Sequence, residues 1–353
     1  MGKQCPRIES PLEVRERSRF LDDHRLSESL NSACRWLRSL LDDRGSVRRS
    51  DEASLYYKVP GSLAVNGAFD AAYSCLDWFA SRFLGNRGQL AIPPEQEASR
   101  FTNTYDRGWL VWGAGICGRY DIAFPLAEDI LAYQDRESGG FLDRAADLHE
   151  GEGVQHAMTA GFAGLGLLST RHVAAARRAG DFLIDLLKLQ PHPQEGLYLA
   201  ADRCTDGTRK LLLERTSRDF VDRGGLKQRP ARLGPVQVLL VRLYRLTREN
   251  RYLDAARTYT DAVLTGRDGI YDCVESHKFL WGLTELFQVS SEDRYRRAAR
   301  RIAAHLIRSQ QPDGQWWGDA VGGGKPGQSL DLRLNTTCNA LVGLAAYRSW
   351  AGR

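Results

Sequence analysis

The feature of this sequence that most restricts its fold is a glycine followed by a large apolar or aromatic residue, repeated six times. The intervals between these marks are about 40 to 70 residues. Such a period is typical of repeat proteins, because one helix pair cannot bury its apolar face without neighbouring pairs. Six pairs are enough to close a ring. The marks are Gly45-Ser46-Val47, Gly88-Gln89-Leu90, Gly140-Phe141, Gly196-Leu197-Tyr198, Gly269-Ile270-Tyr271 and Gly314-Gln315-Trp316.

Two kinds of helical segment alternate between the marks. The first kind is rich in small residues and apolar nearly all round, which is typical of a helix packed on several sides. The second kind carries charge on one face only and is therefore predicted to lie outside the first. The inner segments are predicted at about 53–65, 107–119, 154–169, 232–247 and 275–290. The outer segments are predicted at about 67–83, 121–134, 171–189, 251–265 and 292–310.

Two helical segments remain, at about 28–43 and 335–350. The first has the outer composition and the second the inner composition, so their pairing would supply a sixth unit and close the ring. We therefore predict an all-α fold, an (α/α)6 barrel or α/α toroid, formed by one domain over residues 1–353 with an N-terminal extension at 1–26. The long irregular stretch at 191–230 is predicted to be a functional loop or a hairpin excursion over one mouth of the ring.

Composition excludes several functional classes. The net charge of +5 comes with arginine-rich outer helices that lack interleaved aromatic residues, so no nucleic-acid partner is predicted. No apolar run reaches the length of about 18 residues that a membrane span needs, and the first residues lack an apolar signal core. Seven cysteines occur singly, which is typical of reduced thiols in a cytoplasmic protein.

The inner helices all run in one direction, so their N-termini and free backbone N–H groups meet at one mouth of the ring. Polar residues at those starts are therefore the candidate site. The first group, Tyr56, Tyr57 and Lys58, suits proton donation or anion binding, with ordinary packing as the alternative. In the next unit, Asp106 between Tyr105 and Trp109 is a candidate general acid or base, although helix capping would also explain it.

Histidines mark two further inner helices. His156 is predicted to face the cavity one turn into its helix and to act as an acid or base, unless a carbonyl group simply satisfies it. Together with His149, Glu150 and Glu152 it invites a metal site, but the order matches no recognised ligand spacing, so no metal is predicted.

The richest group precedes a very apolar segment. Glu275, His277 and Lys278 are ionisable, so at least one should point into the cavity with a perturbed pKa, although Glu275 and Lys278 could simply pair. Before the last inner helix, Asp331, Arg333 and Asn335 are candidate binding residues. The glycine-rich stretch at 322–327 lacks the spacing of a phosphate-binding loop and is interpreted as a lid.

Gln311-Pro312-Asp313-Gly314-Gln315-Trp316 resembles the QxxDGxW repeat of the terpenoid cyclase and protein prenyltransferase toroids. That resemblance implies a hydrophobic substrate that is folded and rearranged by acid in an aromatic cavity. The sequence has neither the DxDD acid motif nor the DDxxD metal motif of those enzymes. A route without metal or cofactor is therefore expected.

A second resemblance rests on Glu137-Ser138-Gly139-Gly140-Phe141 and on the two histidines His156 and His277. These features are similar to those of N-acylglucosamine 2-epimerase-like and unsaturated glucuronyl hydrolase-like barrels. That resemblance implies proton transfer on a sugar by inner-helix residues.

We therefore predict a metal-free acid/base cyclase or isomerase for a hydrophobic small molecule such as a terpenoid or polyketide. Proton transfer is assigned to Asp106, His156 or the group around His277, and the aromatic residues should shape the cavity and stabilise cationic character in the substrate. A carbohydrate-active enzyme is the first alternative, and a binding scaffold without activity is the second. A homodimer remains open. The predicted aromatic lining consists of Tyr56, Tyr57, Tyr105, Trp109, Trp281 and Trp316.

Overall fold

The computed structural model describes residues 11–86, 88–92, 104–143, 153–203, 209–215, 219–224, 230–266, 268–318 and 328–351, with side chains from residue 23 onward. Within these ranges, twelve α-helices alternate between an outer and an inner ring, which confirms the predicted α/α toroid. The outer helices are α1 (Pro11–Ser39), α3 (Phe69–Phe83), α5 (Tyr120–Ala132), α7 (Val173–Lys188), α9 (Asn250–Leu264) and α11 (Asp293–Ser309). The inner helices are α2 (Val59–Ala64), α4 (Thr104–Ile116), α6 (Ala157–Ser169), α8 (Gly234–Thr247), α10 (His277–Ser290) and α12 (Leu330–Ala351).

The inner helices pack through small residues. Each contacts the next in chain order, and α12 returns to contact α2. Gly113 of α4 lies so close to Gly61 of α2 that an added Cβ would be 2.8 Å from the Gly61 nitrogen. Gly161 of α6 approaches the backbone of Pro235 in α8 equally closely. Because the backbones meet at these points, the ring has a narrow centre.

The outer helices are linked by a repeated arginine and tyrosine pair. Tyr252 at the start of α9 donates a hydrogen bond of 2.9 Å to Asp181 of α7, and Arg251 lies 4.5 Å from the Tyr252 ring centre. Tyr295 at the start of α11 donates to Asp261 of α9 in the same way, at 3.2 Å. The rings of both tyrosines are buried against the inner helices, as the periodicity of the outer segments predicts.

Four glycine marks form a similar turn after an outer helix. At the third mark, the residue with the left-handed φ angle is Gly139 and not the predicted Gly140. The other two marks are built differently: Gly196 begins a strand, and Gly269 lies in a 3-10 segment at Asp268–Asp272. The left-handed φ angles, which favour glycine, are 85° at Gly45, 76° at Gly88, 75° at Gly139 and 99° at Gly314.

The last turn closes the ring against the first helix. A Cβ on Gly314 would lie 2.4 Å from the carbonyl oxygen of Ser32 in α1, just as a Cβ on Gly45 would lie 2.2 Å from that of Ser74 in α3. Gln310 strengthens this contact by donating to the Ser29 carbonyl at 2.9 Å. Helix α1 also packs on α12 and begins at residue 11, inside the stretch that was interpreted as an extension.

The irregular stretch between α7 and α8 contains short antiparallel strands rather than helix. Strand β3 (Ala200–Arg203) pairs with β4 (Arg209–Leu211) and with β1 (Gly153–His156), while β2 (Gly196–Tyr198) pairs with β5 (Phe220–Asp222). Strand β1 was predicted as the beginning of an inner helix. It is extended because its backbone pairs with β3 about 45 residues later, and α6 begins only after it. The excursion therefore lies beside the N-terminal end of α6.

No helix among the described residues is long and apolar enough to cross a membrane.

Candidate functional site

A cavity of about 520 Å³ opens at the end of the ring where the inner helices begin. All six inner helices, or the residues directly before them, contribute to its wall, as the parallel arrangement of the inner ring predicts. Thirteen of the sixteen lining residues have polar or ionisable side chains. The lining residues are Ser54, Tyr57, Lys58, Tyr105, Asp106, Met158, Ala231, Arg232, Glu275, His277, Lys278, Asp331, Leu332, Asn335, Thr336 and Asn339.

Lys58 precedes α2 and is almost completely buried. Its ammonium group donates to the side-chain oxygen of Asn335 on α12, and the Asn335 amide donates to the Tyr57 hydroxyl at 3.2 Å. The ammonium also lies 4.9 Å from the Tyr57 ring centre and 5.3 Å from that of Trp109. Burial lowers the pKa of Lys58 to about 8, against the opposing charge of Asp106.

Asp106 lies in the first turn of α4, with 5% of its surface exposed. Burial raises the pKa of its carboxyl group to about 8, although the Lys58 charge favours the ionised form. The Asp143 carboxylate adds a like charge that raises the Asp106 pKa further. The carboxyl and the amine thus titrate together near pH 8, and either can give or take a proton close to neutrality.

The backbone of α10 holds His277 and Lys278 in place. A Cβ on Gly343 of α12 would lie 2.2 Å from the His277 carbonyl oxygen, and one on Gly234 of α8 would lie 2.2 Å from that of Lys278. The first turn of α10 is therefore fixed between its two inner neighbours. Side chains on such a turn have little freedom to shift, which suits groups that must meet a substrate at defined positions.

His277 is 1% exposed and uncharged. Burial lowers the pKa of its imidazole well below the usual value, and the charges of Lys278 and Lys58 lower it further. Nδ1 accepts a hydrogen bond of 2.7 Å from the Lys278 backbone N–H, so the ring proton is on Nε2. Nε2 points toward Glu275, whose nearest carboxylate oxygen is 3.9 Å away.

Lys278 places a second amine in the cavity wall. Its Nζ lies 3.0 Å from the Tyr105 hydroxyl oxygen and 3.8 Å from the Met158 sulfur. Burial lowers the pKa of Lys278 well below the usual value, and the Lys58 charge lowers it further. Two lysines, two tyrosines and three carboxyl groups therefore share one small cavity.

His156 is outside this wall, contrary to prediction. It is the last residue of β1, and its Nδ1 lies 3.0 Å from an Asp219 carboxylate oxygen in the excursion. Its Nε2 lies 4.0 Å from Asp143. His156 therefore links the excursion to the ring and reaches the cavity only indirectly, through the effect of Asp143 on Asp106.

Three predicted binding residues have hydrogen-bond partners outside the cavity wall. Tyr56 is fully buried between the rings, where its hydroxyl accepts from the Val47 N–H at 3.0 Å and donates to the Ser50 carbonyl. Trp316 is also fully buried and donates from its indole to the Leu306 carbonyl at 2.7 Å. Arg333 of α12 donates to the Gln315 side chain at 3.2 Å. These three side chains are not part of the cavity wall.

The other two tryptophans close the centre of the ring. Trp109 stacks on Phe162 with ring centres 4.0 Å apart, and Trp281 lies 5.2 Å from Trp112. This aromatic layer fills the middle of the ring below Lys58. Trp281 does not reach the N-terminal cavity but borders a second cavity of about 360 Å³ at the opposite mouth of the ring, next to Trp112 and Glu285.

Sequence reasoning missed four polar residues of the wall, which are Ser54, Arg232, Thr336 and Asn339. Asn339 lies one turn after Asn335 on α12, so the spacing of four residues could have revealed it. Arg232 precedes α8 and was included in the irregular stretch. Within the described ranges, no three His, Cys, Asp or Glu side chains are grouped as metal ligands would be. The predicted candidates His149, Glu150 and Glu152, and the glycine-rich stretch at 322–327, lie outside those ranges.

No protein-family model and no curated protein sequence matches this chain. Solved structures do. The α-1,6-mannanase of Salegentibacter sp. HEL1_6 matches with a TM-score of 0.66 and 14% identity, over 91% of this chain and 98% of the mannanase.

A D-mannose isomerase matches with a TM-score of 0.62 and 11% identity, over 92% and 96% of the two chains. A type II terpene cyclase from Scytonema, in complex with its product merosterolic acid A, matches with a TM-score of 0.57 and 11% identity, over 94% and 99%. Sugar-active and terpenoid-active proteins thus share this architecture. At such identities the likeness establishes the fold, and the chain has the α/α toroid fold of these enzymes.

Proposed function

We propose that this protein is an enzyme that transfers protons on a polar, polyhydroxylated small molecule in the N-terminal cavity of the ring. The observation that carries the proposal is the composition of the wall: carboxyl, amine, amide and phenol groups from the starts of four inner helices, α2, α4, α10 and α12, face one cavity. A volume of about 520 Å³ is within the usual range for small-molecule sites.

The polar wall favours the carbohydrate alternative over the hydrophobic substrate. A terpenoid would displace water from the buried polar side chains of Lys58, Asp106 and Lys278 without offering them new hydrogen-bond partners, which is unfavourable. Sugar hydroxyls would supply those partners. Of the aromatic residues that were expected to stabilise a carbocation, Tyr57 lines the cavity, whereas Trp109 and Trp281 pack on other rings and Tyr56 and Trp316 lie outside the wall.

The reaction class follows from the protonation states. The pKa values of Asp106 and Lys58 both lie at about 8, so each group can exchange a proton near neutral pH, and the imidazole of His277 is neutral. These groups can remove a proton from the carbon beside a carbonyl group and return one to the neighbouring atom. Interconversion of an aldose and a ketose, or inversion beside a carbonyl group, requires these two steps.

The test is solvent exchange. The protein is incubated in D₂O with a panel of aldoses, ketoses and uronic acids, and ¹H NMR follows the C–H signals beside the carbonyl carbon. We expect loss of that signal for one sugar class, together with signals of an isomer. Conversion of polyprenyl compounds with no exchange on any sugar would contradict the proposal and favour a cyclase.

A further inference from the structure

Lysine is rare in this chain, yet it is concentrated in the cavity. Seven of the 49 basic residues other than histidine are lysines, and two of these, Lys58 and Lys278, line the same wall. Arginine supplies almost every other positive charge. The two side chains differ chemically: the guanidinium of arginine stays charged in proteins, whereas a buried lysine can lose its proton and become a nucleophile.

The two amines lie close to the same phenol ring. The Lys278 Nζ is 5.3 Å from the centre of the Tyr105 ring, and the Lys58 Nζ is 5.6 Å from it. Both amines are buried, so little solvent screens them, and the Lys58 charge disfavours the protonated form of Lys278. Protonation of both amines at once is therefore unfavourable.

The surroundings of the two amines indicate which of them is the better place for the charge. Lys58 has the Asn335 side-chain oxygen as acceptor, the ring faces of Tyr57 and Trp109, and the nearby Asp106 carboxyl group. Such surroundings stabilise an ammonium. Lys278 has a phenol oxygen and a thioether sulfur as partners, and the positive charges of Lys58 and Arg232 both act against its ammonium form, although Glu275 and Asp106 favour it.

We propose that Lys278 is a nucleophile that forms an imine with the carbonyl carbon of the substrate. This inference rests on the proposed function for its substrate class, a hydroxylated aldehyde or ketone in its open form. Lys58 has a supporting role, because its charge keeps the neighbouring amine unprotonated, an arrangement known to activate lysine nucleophiles. The fixed first turn of α10 holds the nucleophile against the cavity.

The chemistry balances without an oxidant or a further reactant. The Nζ lone pair of Lys278 forms a bond to the carbonyl carbon, and the carbonyl π electrons move to its oxygen, which takes up a proton. The nitrogen then loses a proton, a second proton reaches the hydroxyl group, and water leaves as the C=N bond forms. A protonated carboxyl group such as that of Asp106 can supply this second proton. The protonated imine then acidifies the neighbouring C–H bond, which is the bond that the proposed isomerisation breaks.

Reductive trapping tests the inference on the wild-type protein. The protein is incubated with glycolaldehyde and sodium cyanoborohydride at pH 7.4, and peptide mass spectrometry locates hydroxyethyl groups on the seven lysines. An exposed lysine of ordinary pKa is neutral in about one molecule in 10³ at this pH. We therefore expect Lys278 to be labelled about tenfold faster than Lys188, whose side chain is 70% exposed. Labelling confined to exposed lysines would overturn the inference.

A variant removes the amine without adding a charge. Lys278→Met keeps an uncharged, unbranched side chain that cannot form an imine, so trapping at this position and solvent exchange should both be lost. Lys188→Met is the matched surface control and should leave trapping at Lys278 and solvent exchange unchanged. The two proposals fail in different ways: exchange on a sugar without trapping at Lys278 refutes the imine only, whereas trapping without exchange refutes the isomerisation and leaves the imine in place.

Discussion

The contact that closes the ring predicts the consequence of one substitution, Gly314→Ala. The glycine has a φ of 99°, and an added Cβ would meet the Ser32 carbonyl oxygen at 2.4 Å, about 1 Å inside ordinary contact. A left-handed non-glycine residue costs about 1–2 kcal/mol, and overpacking against a backbone that cannot yield costs about 1–3 kcal/mol more. The free energy of unfolding should therefore fall by about 2–5 kcal/mol.

Gly67→Ala is the matched control. Gly67 has a similar φ of 83°, but a Cβ there would meet nothing within 4 Å, so only the backbone cost of about 1–2 kcal/mol applies. Urea unfolding followed by far-UV circular dichroism compares the midpoints of the two variants at unchanged slope. Equal losses in both would refute the argument that the last turn is pressed against the first helix.

Three further predictions concern single side chains. Removing the Lys58 charge in Lys58→Met should raise the Asp106 pKa above about 8, which the carboxyl band in infrared titration measures, and an unchanged or lower value would contradict the coupling. Burial raises the pKa of Glu285, but the charges of Arg242 and Arg245 outweigh it and hold the pKa below its usual value. The interaction of Glu285 with the two arginines therefore stabilises the fold at a pH above that usual pKa, and this stabilisation is lost as the pH falls. Glu285→Gln should cost about 1–3 kcal/mol at pH 7, because the two arginines that it leaves are about one third exposed, and should weaken the loss of stability between pH 5 and 3, measured by urea unfolding. Tyr56→Phe should cost about 1–3 kcal/mol by leaving the Val47 N–H without its partner, while solvent exchange at the cavity stays at the wild-type rate.

The architecture was predictable because the residue pattern of each helix shows whether it belongs to the inner or the outer ring. The charged face of α11, with its apolar residues three and four apart, identifies an outer helix without knowledge of its partners. Part of the cavity wall was predictable for a similar reason. Asp106, Lys58 and His277 are polar residues at the starts of apolar helices, and helices that run in the same direction must bring such starts together.

The errors arose where distant residues decide the structure. His156 belongs to a strand because its backbone pairs with Ala200, and no local pattern reports that partner. Trp109 and Trp281 were expected to line the cavity, but the glycine contacts between inner helices leave a centre so narrow that these rings fill it. An aromatic residue on an inner helix can face the mouth or the middle, and its depth along the ring follows from the packing of all six helices.

The central claim is that the N-terminal cavity carries out proton transfer, and a comparison of two aspartates tests it most directly. Asp106→Asn removes a buried carboxyl group in the first turn of an inner helix, whereas Asp70→Asn removes an exposed one in the first turn of the outer helix α3. With the sugar that exchanges fastest in D₂O, Asp106→Asn should slow exchange about 10²-fold or more, and Asp70→Asn should leave it unchanged. Equal exchange rates in both folded variants would contradict the account.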